Sequence, residues 1–251
     1  MSVSAWLNRP GLLGFFWRLA YGLGYEAFKS MVGFVFRPIW GVRRIGPPAA
    51  LPRQGGVILC PNHTSYLDPA FVQLVVRRRL VFVMTARFYD QPRTRWFYKL
   101  VGAVPIGTGG RAARKGIRKA MALVKRGHAV VIFPEGRLSQ DGHLNSAQRG
   151  IGSIARRTGA PVIPVALAGA IHAWPKGAPK PAAARVRVAF GKPMRYDEPE
   201  PNGRKPAEQA FADQVLRAIA HGKAELQARA PDPRDVPVRA ALLQTDAPSG
   251  R

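Results

Sequence analysis

Six short runs, GVILC (56–60), LVFVM (80–84), GAVPI (102–106), AVVIF (129–133), PVIPVAL (161–167) and RVRVAF (185–190), constrain this chain more than anything else in it. Each is short and rich in valine or isoleucine, so each reads as a buried strand. Helix-like stretches lie between most of them, and that alternation builds a largely parallel sheet. The fold class expected is α/β, a mixed, largely parallel sheet flanked by helices. The clearest of those helices is RAARKGIRKAMALVKRG. Ile117, Ala120, Met121 and Val124 share one face, Arg111, Arg114, Lys115, Arg118 and Lys119 the other, and Gly127 supplies the stop.

A length of 251 residues suits one α/β domain with additions at its ends. The charge is unusual: 39 Lys+Arg against 14 Asp+Glu leave a formal +25, which calls for an anionic partner such as nucleic acid, lipid headgroups or an acidic carrier. With one cysteine, Cys60, there is no internal disulfide, and the five histidines show no metal-ligand spacing.

Residues 11–37, GLLGFFWRLAYGLGYEAFKSMVGFVFR, are apolar and aromatic, but Arg18, Glu26 and Lys29 break every run before it reaches the ~18 residues of a membrane span. At about 100° per residue, Arg18, Glu26, Lys29 and Arg37 fall in one narrow sector, and the rest of the wheel is apolar. That pattern predicts a helix lying in a bilayer interface, with Pro38 ending or kinking it; core packing is the competing expectation. Residues 171–184 and 192–206, rich in Pro and Gly, read as loops, a helix is expected over about 207–229, and residues 230–251 read as a disordered tail.

The stretch CPNHTSYLDPAF holds His63 and Asp68. On one continuous helix they would lie roughly 140° apart, so a loop must bring them together. Asp68-Pro69 provides the break, with Asp68 as N-cap and Pro69 at the first helical position. The chain then folds back so that Asp68 accepts a hydrogen bond from one ring nitrogen of His63 and leaves the other free as a base. Further on, FPEG places Glu135 and Gly136 at the C-terminal end of a strand, where open α/β sheets gather ligands, with the planar cation of Arg137 adjoining.

With those blocks in view, the chain resembles the glycerolipid acyltransferases typified by 1-acylglycerol-3-phosphate acyltransferase. The resemblance runs from about Val42 to Gly191 and rests on four ordered blocks: NHTSYLD (62–68), GAVPI (102–106), FPEG (133–136) and APVIPVAL (160–167). It implies an acyltransferase domain over 42–229, behind an interface segment over 1–41. It also implies that His63 is the general base and Asp68 its support, while Glu135 and Gly136 bind the glycerol phosphate. Asn62, Ser65, Arg137 and Arg111 join them as substrate-binding candidates. Two positions depart from the family pattern: Thr108 stands where an arginine is usual in the second block, and FPEGRLS brings the arginine of the third block one residue early, at Arg137. Arg111 and Arg114 are the candidate replacements for the missing arginine.

The resulting expectation is transfer of a fatty acyl group from acyl-CoA or acyl carrier protein, as co-substrate, to the free hydroxyl of a lysophospholipid, namely 1-acylglycerol-3-phosphate to give phosphatidic acid, with another lysolipid acceptor as the alternative. It requires neither metal nor cofactor, and it takes place on an anionic membrane surface at the cytoplasmic face of the cell membrane. Three other readings stand beside it. One is a cysteine nucleophile at Cys60, which the end of an apolar strand disfavours. The second is a basic nucleic-acid-binding protein, against which no recognisable binding motif appears. The third is a membrane-bound scaffold without activity.

Overall fold

The computed structural model describes residues 12–46, 51–107, 109–197 and 204–229, with side chains from residue 22 onward. The expected tail over 230–251 and the departure at Thr108 lie outside the described residues. Seven strands form one sheet: β1 (Arg43–Ile45), β2 (Val57–Pro61), β3 (Leu80–Thr85), β4 (Val104–Ile106), β5 (Ala129–Val131), β6 (Val162–Ala168) and β7 (Arg187–Phe190). Their order is β1-β7-β6-β2-β5-β3-β4, parallel throughout except for the antiparallel β6–β7 pair.

All six runs expected as strands therefore pair in one sheet. Every residue of β2 and β6 is buried, because helices cover both faces of a parallel sheet. Alternate side chains of β2 feed two cores. Ile58 and Cys60 pack with α5 (Gly110–Lys125), α6 (Gly150–Thr158) and α7 (Arg204–Ala228). Val57 and Leu59 pack on the other face with Phe71 and Val72 of α2 (Asp68–Leu74) and with Trp40. Gly56 precedes β2 because a Cβ there would stand 2.1 Å from the carbonyl oxygen of Val124 in α5.

Strand β1 carried no apolar signal. Its Arg43-Arg44-Ile45 is an exposed edge strand that needs only backbone pairing with β7. Helix α6 was not expected either, yet Ile151, Ile154 and Ala155 bury one face of it. Arg149 and Arg156 both reach the buried carboxylate of Glu208 and tie α6 to α7, at 2.9 and 3.1 Å. Helix α5 matches expectation: Ala120, Met121 and Val124 face inward and the arginines and lysines outward.

The N-terminal helix α1 (Leu12–Trp40) packs against the body along one side, as the competing expectation of core packing requires, and leaves its other side exposed. One side docks on the body: Tyr25 Oη donates to Gln73 at 2.8 Å, Lys29 Nζ to the Arg77 carbonyl at 2.8 Å, and Gly33 lies against Leu74. Phe36 and Trp40 close that side against Phe71. Of the polar stripe, Lys29 turns inward within 3.8 Å of the exposed Glu26, Arg37 stays exposed, and the Arg18 side chain lies outside the described residues. The opposite side leaves Leu23, Met31, Phe34, Val35 and Ile39 in solvent, Phe34 at 84%. Pro38 lies inside the helix, which continues to Trp40. Among the described residues, no helix is long and apolar enough to cross a membrane.

Candidate active site

Strand β2 lies mid-sheet between β5 and β6, so the loop that leaves its C-terminal end emerges in the crevice where such sheets bind ligands. That loop carries His63, whose Nδ1 lies 2.9 Å from Asp68 Oδ2. The same oxygen accepts the backbone N–H groups of Thr64 at 2.7 Å and Ser65 at 2.8 Å. Asp68 is fully buried, and its other oxygen, Oδ1, has no hydrogen-bond partner. The expected pairing of His63 with Asp68 is therefore present, but the expected capping role is not. Asp68 is the first residue of α2, and its carboxylate turns back to close the loop rather than forward onto helical amides. Three donors converge on one oxygen in that arrangement, and this outcompetes a single cap bond.

The FPEG turn locks the backbone of the same loop from the side of β5. Strand β5 ends at Val131, and the Phe133 ring stacks on His63 at 3.9 Å between centroids, 22° from parallel. Glu135 Oε1 accepts the His63 N–H at 2.9 Å, and the Ser139 N–H donates to the His63 carbonyl at 2.8 Å. Glu135 Oε2 accepts both the backbone N–H and the side-chain Nδ2 of Asn145, at 2.8 and 2.9 Å. Glu135 is 2% exposed and its carboxylate braces two loops internally, whereas the resemblance implied that it binds the glycerol phosphate. Gly136 is exposed at φ +66°, which lets the turn close with its N–H on the Phe133 carbonyl.

Arg137 follows in that turn rather than in an extended strand. Its exposed guanidinium donates Nε to Asn145 Oδ1 at 3.0 Å, and no strand alternation governs where it points. Asn62 and Ser65, expected among the substrate contacts, are fully buried. Asn62 spends its amide on the backbone of Leu167 in β6, donating to the carbonyl at 3.1 Å and accepting the N–H at 2.7 Å. Ser65 Oγ bonds within the loop to Leu67 N–H and across to the Trp174 carbonyl. Both residues build the loop instead of facing a ligand. Arg111 opens α5 behind β4, three strand spacings or roughly 14 Å across the sheet from β2. Nothing in the structure ties it to His63.

Sequence reasoning missed Asn145, Phe133 as the stacking partner, and the Ser139 amide. Phe133 stood in the quoted block, but Asn145 lies in an irregular loop with no periodic or motif signal. Beside Thr64 a cleft of about 250 Å³ opens toward α7, walled by Leu167, Gly142, His143, His172 and Lys223. Lys223 Nζ donates to the Gly142 carbonyl. Cys60 is fully buried, and burial alone raises its thiol far above the ordinary range, so it stays protonated. A cysteine nucleophile there has neither access nor ionisation.

An acyltransferase family model matches residues 44–168, which span β1 to β6 and contain His63, Asp68 and the FPEG turn. The chain belongs to that acyltransferase family. It is 33% identical over 117 residues to a chloroplastic 1-acyl-sn-glycerol-3-phosphate acyltransferase of Brassica napus, covering 46% of this chain and 34% of that protein. Over 144 residues it is 28% identical to a 1-acyl-sn-glycerol-3-phosphate acyltransferase of Cocos nucifera, covering 57% of this chain and 46% of that one. The chain thus matches between about a third and a half of the length of these relatives. The crystal structure of the 1-acyl-sn-glycerophosphate acyltransferase of Thermotoga maritima superposes with a TM-score of 0.70 at 23% identity, over 86% of this chain and 84% of that one. That likeness shows the α/β fold.

Proposed function

We propose that this protein transfers a fatty acyl group from a thioester, acyl-CoA or acyl carrier protein, to the free hydroxyl of a lysophospholipid, with 1-acylglycerol-3-phosphate as acceptor. The observation that carries the reading is the 2.9 Å contact between His63 Nδ1 and the buried Asp68 Oδ2. That carboxylate, already fixed by two backbone amides, holds the proton on Nδ1 and orients the ring. The lone pair of Nε2 is then available to take the hydroxyl proton as the alcohol oxygen attacks the thioester carbonyl. The tetrahedral intermediate collapses, the C–S bond breaks, and the departing thiolate recovers the proton from His63. Asp68 lowers the energy of the imidazolium formed in between.

The family membership and the acceptors in the relatives' names support the choice of a glycerol phosphate lysolipid. The polar cleft beside Thr64 has Lys223, two histidines and also Asp141 in its walls, and its cationic side suits the phosphate-bearing part of a substrate. The exposed apolar side of α1 and the net positive charge suit a protein working on an anionic membrane at the cytoplasmic face.

The test is turnover of acyl-CoA and acyl carrier protein thioesters with a panel of lysolipids. His63→Ala should cost about 10²–10⁴ in kcat. Asp68→Asn, which keeps the shape, should cost at least about tenfold. Full activity in His63→Ala removes the base assignment, and activity on no lysolipid removes the reading.

A further inference from the structure

Strong exposure of large apolar side chains is confined to three places among the described residues. One is the outer side of α1. Another is Tyr66 in the His63 loop. The third is the pair of short helices α3 (Ala86–Tyr89) and α4 (Pro92–Leu100), where Phe88, Trp96 and Leu100 are exposed. The outward sides of α5, α6 and α7 show none, so the distribution follows one region of the molecule and is not scattered over its surface.

Helix α4 has the pattern of an interface helix in its own right. At about 100° per residue, Trp96 and Leu100 lie within roughly 40° of each other, Arg93 stands close to Leu100, and Lys99 and Arg95 flank Trp96 on its other side. Tyr98, on the opposite side, and Phe97, next to Arg93, are partly covered. Trp96 is 65% exposed, which is a costly place for an indole facing only water. Arg93 and Lys99 have no acidic partner among the described residues, and Arg95 has only a 3.9 Å contact with exposed Asp90.

Ring contacts join this surface to both neighbours. Phe97 of α4 packs on Phe28 of α1 at 6.1 Å, and Trp96 lies edge-on to Phe97. Phe88 of α3 lies edge-on to Tyr66 at 6.4 Å, three residues from His63. An aromatic surface with a basic border therefore runs from α1 across α3–α4 to the mouth of the site.

We propose that α3–α4 is a second bilayer contact, distinct from α1, in which Trp96 anchors at the interface and Arg93, Arg95 and Lys99 engage anionic headgroups. It rests on the reading that the acceptor is a membrane lipid. Two contacts on either side of one ring cluster fix the tilt of the protein, so that Tyr66 and the His63 loop face the lipid surface. One contact would leave that tilt free.

The full chain is tested with vesicles of phosphatidylcholine alone or mixed with phosphatidylglycerol. Trp96→Ala should weaken partitioning about tenfold on both. The triple variant Arg93→Gln, Arg95→Gln, Lys99→Gln should weaken it by roughly fivefold per residue, and only on the anionic vesicles. Brominated lipid should quench a fluorescence component that is missing from Trp96→Phe. Turnover of a short-chain, monomeric lysolipid should be unchanged in all three variants; if no lysolipid is turned over at all, the functional reading fails while partitioning and quenching still report on the surface. Parental partitioning in both Trp96→Ala and the triple variant overturns the proposal. So does a vesicle-free dimer that Trp96→Ala dissociates, because the face would then cover a second copy of the chain.

Discussion

Replacing Glu135 with glutamine separates two roles for the FPEG turn, brace and headgroup contact. The carboxylate accepts three hydrogen bonds in a site from which water is nearly absent: from His63 N–H on one oxygen, and from the N–H and Nδ2 of Asn145 on the other. A glutamine keeps the shape, but one end becomes a donor. In its better orientation the amide oxygen holds Asn145, and the NH2 then opposes the His63 N–H. One buried donor loses its partner, at about 1–3 kcal/mol, and the two surviving bonds fall from charged to neutral strength, at about 0.5–1 kcal/mol each. Relief of the buried charge offsets part of this. The net expectation is a loss of about 2–3 kcal/mol, measured as a lower urea midpoint with an unchanged slope. Since the bond lost holds the backbone of His63, kcat should fall while KM for the acceptor changes little. Unchanged stability with a raised KM would refute the brace and return Glu135 to the headgroup.

Two further outcomes follow from the packing and from the charge around His128. Gly152 of α6 packs directly on α7, and a Cβ there would stand 2.0 Å from the Glu208 carbonyl oxygen; Gly152→Ala should separate the two helices and cost about 3 kcal/mol in the same urea titration. The His128 imidazole titrates below its ordinary value of 6.5, first through burial and then through Arg78, Arg79 and Arg126. Its folded form binds protons later than its unfolded form, so its contribution to stability is present above about pH 6.5 and is lost as pH falls through the lower folded value. His128→Asn should therefore show a shallower loss of thermal stability on acidification from pH 7 to about 5, by a modest amount because the group is half-exposed.

The strands were legible because a parallel sheet covered on both faces demands unbroken apolar segments, and VILCP and VIPVALA meet that demand residue by residue. Strand β1 was not, because Arg43 and Arg44 on an exposed edge need only backbone pairing. The His63–Asp68 pair was legible because a proline after Asp68 forces a helix to begin there and leaves a loop short enough to fold back. The form that the closure takes was not. Local propensity favours Asp68 as a cap, whereas the folded loop presents it with the amides of Thr64 and Ser65 and the His63 ring at once.

By itself the sequence determined six of the seven strands, that a histidine and an aspartate meet after the first of those six, and the family that this order of blocks defines. Only the tertiary structure decided which polar residues of those blocks are buried in holding the loop and which stay exposed. Asn62 is spent on Leu167, 105 residues away, and Glu135 on His63, 72 residues away. A buried polar group must find its partner wherever the fold supplies one, and that partner comes from a neighbouring strand end with no sequence spacing to announce it.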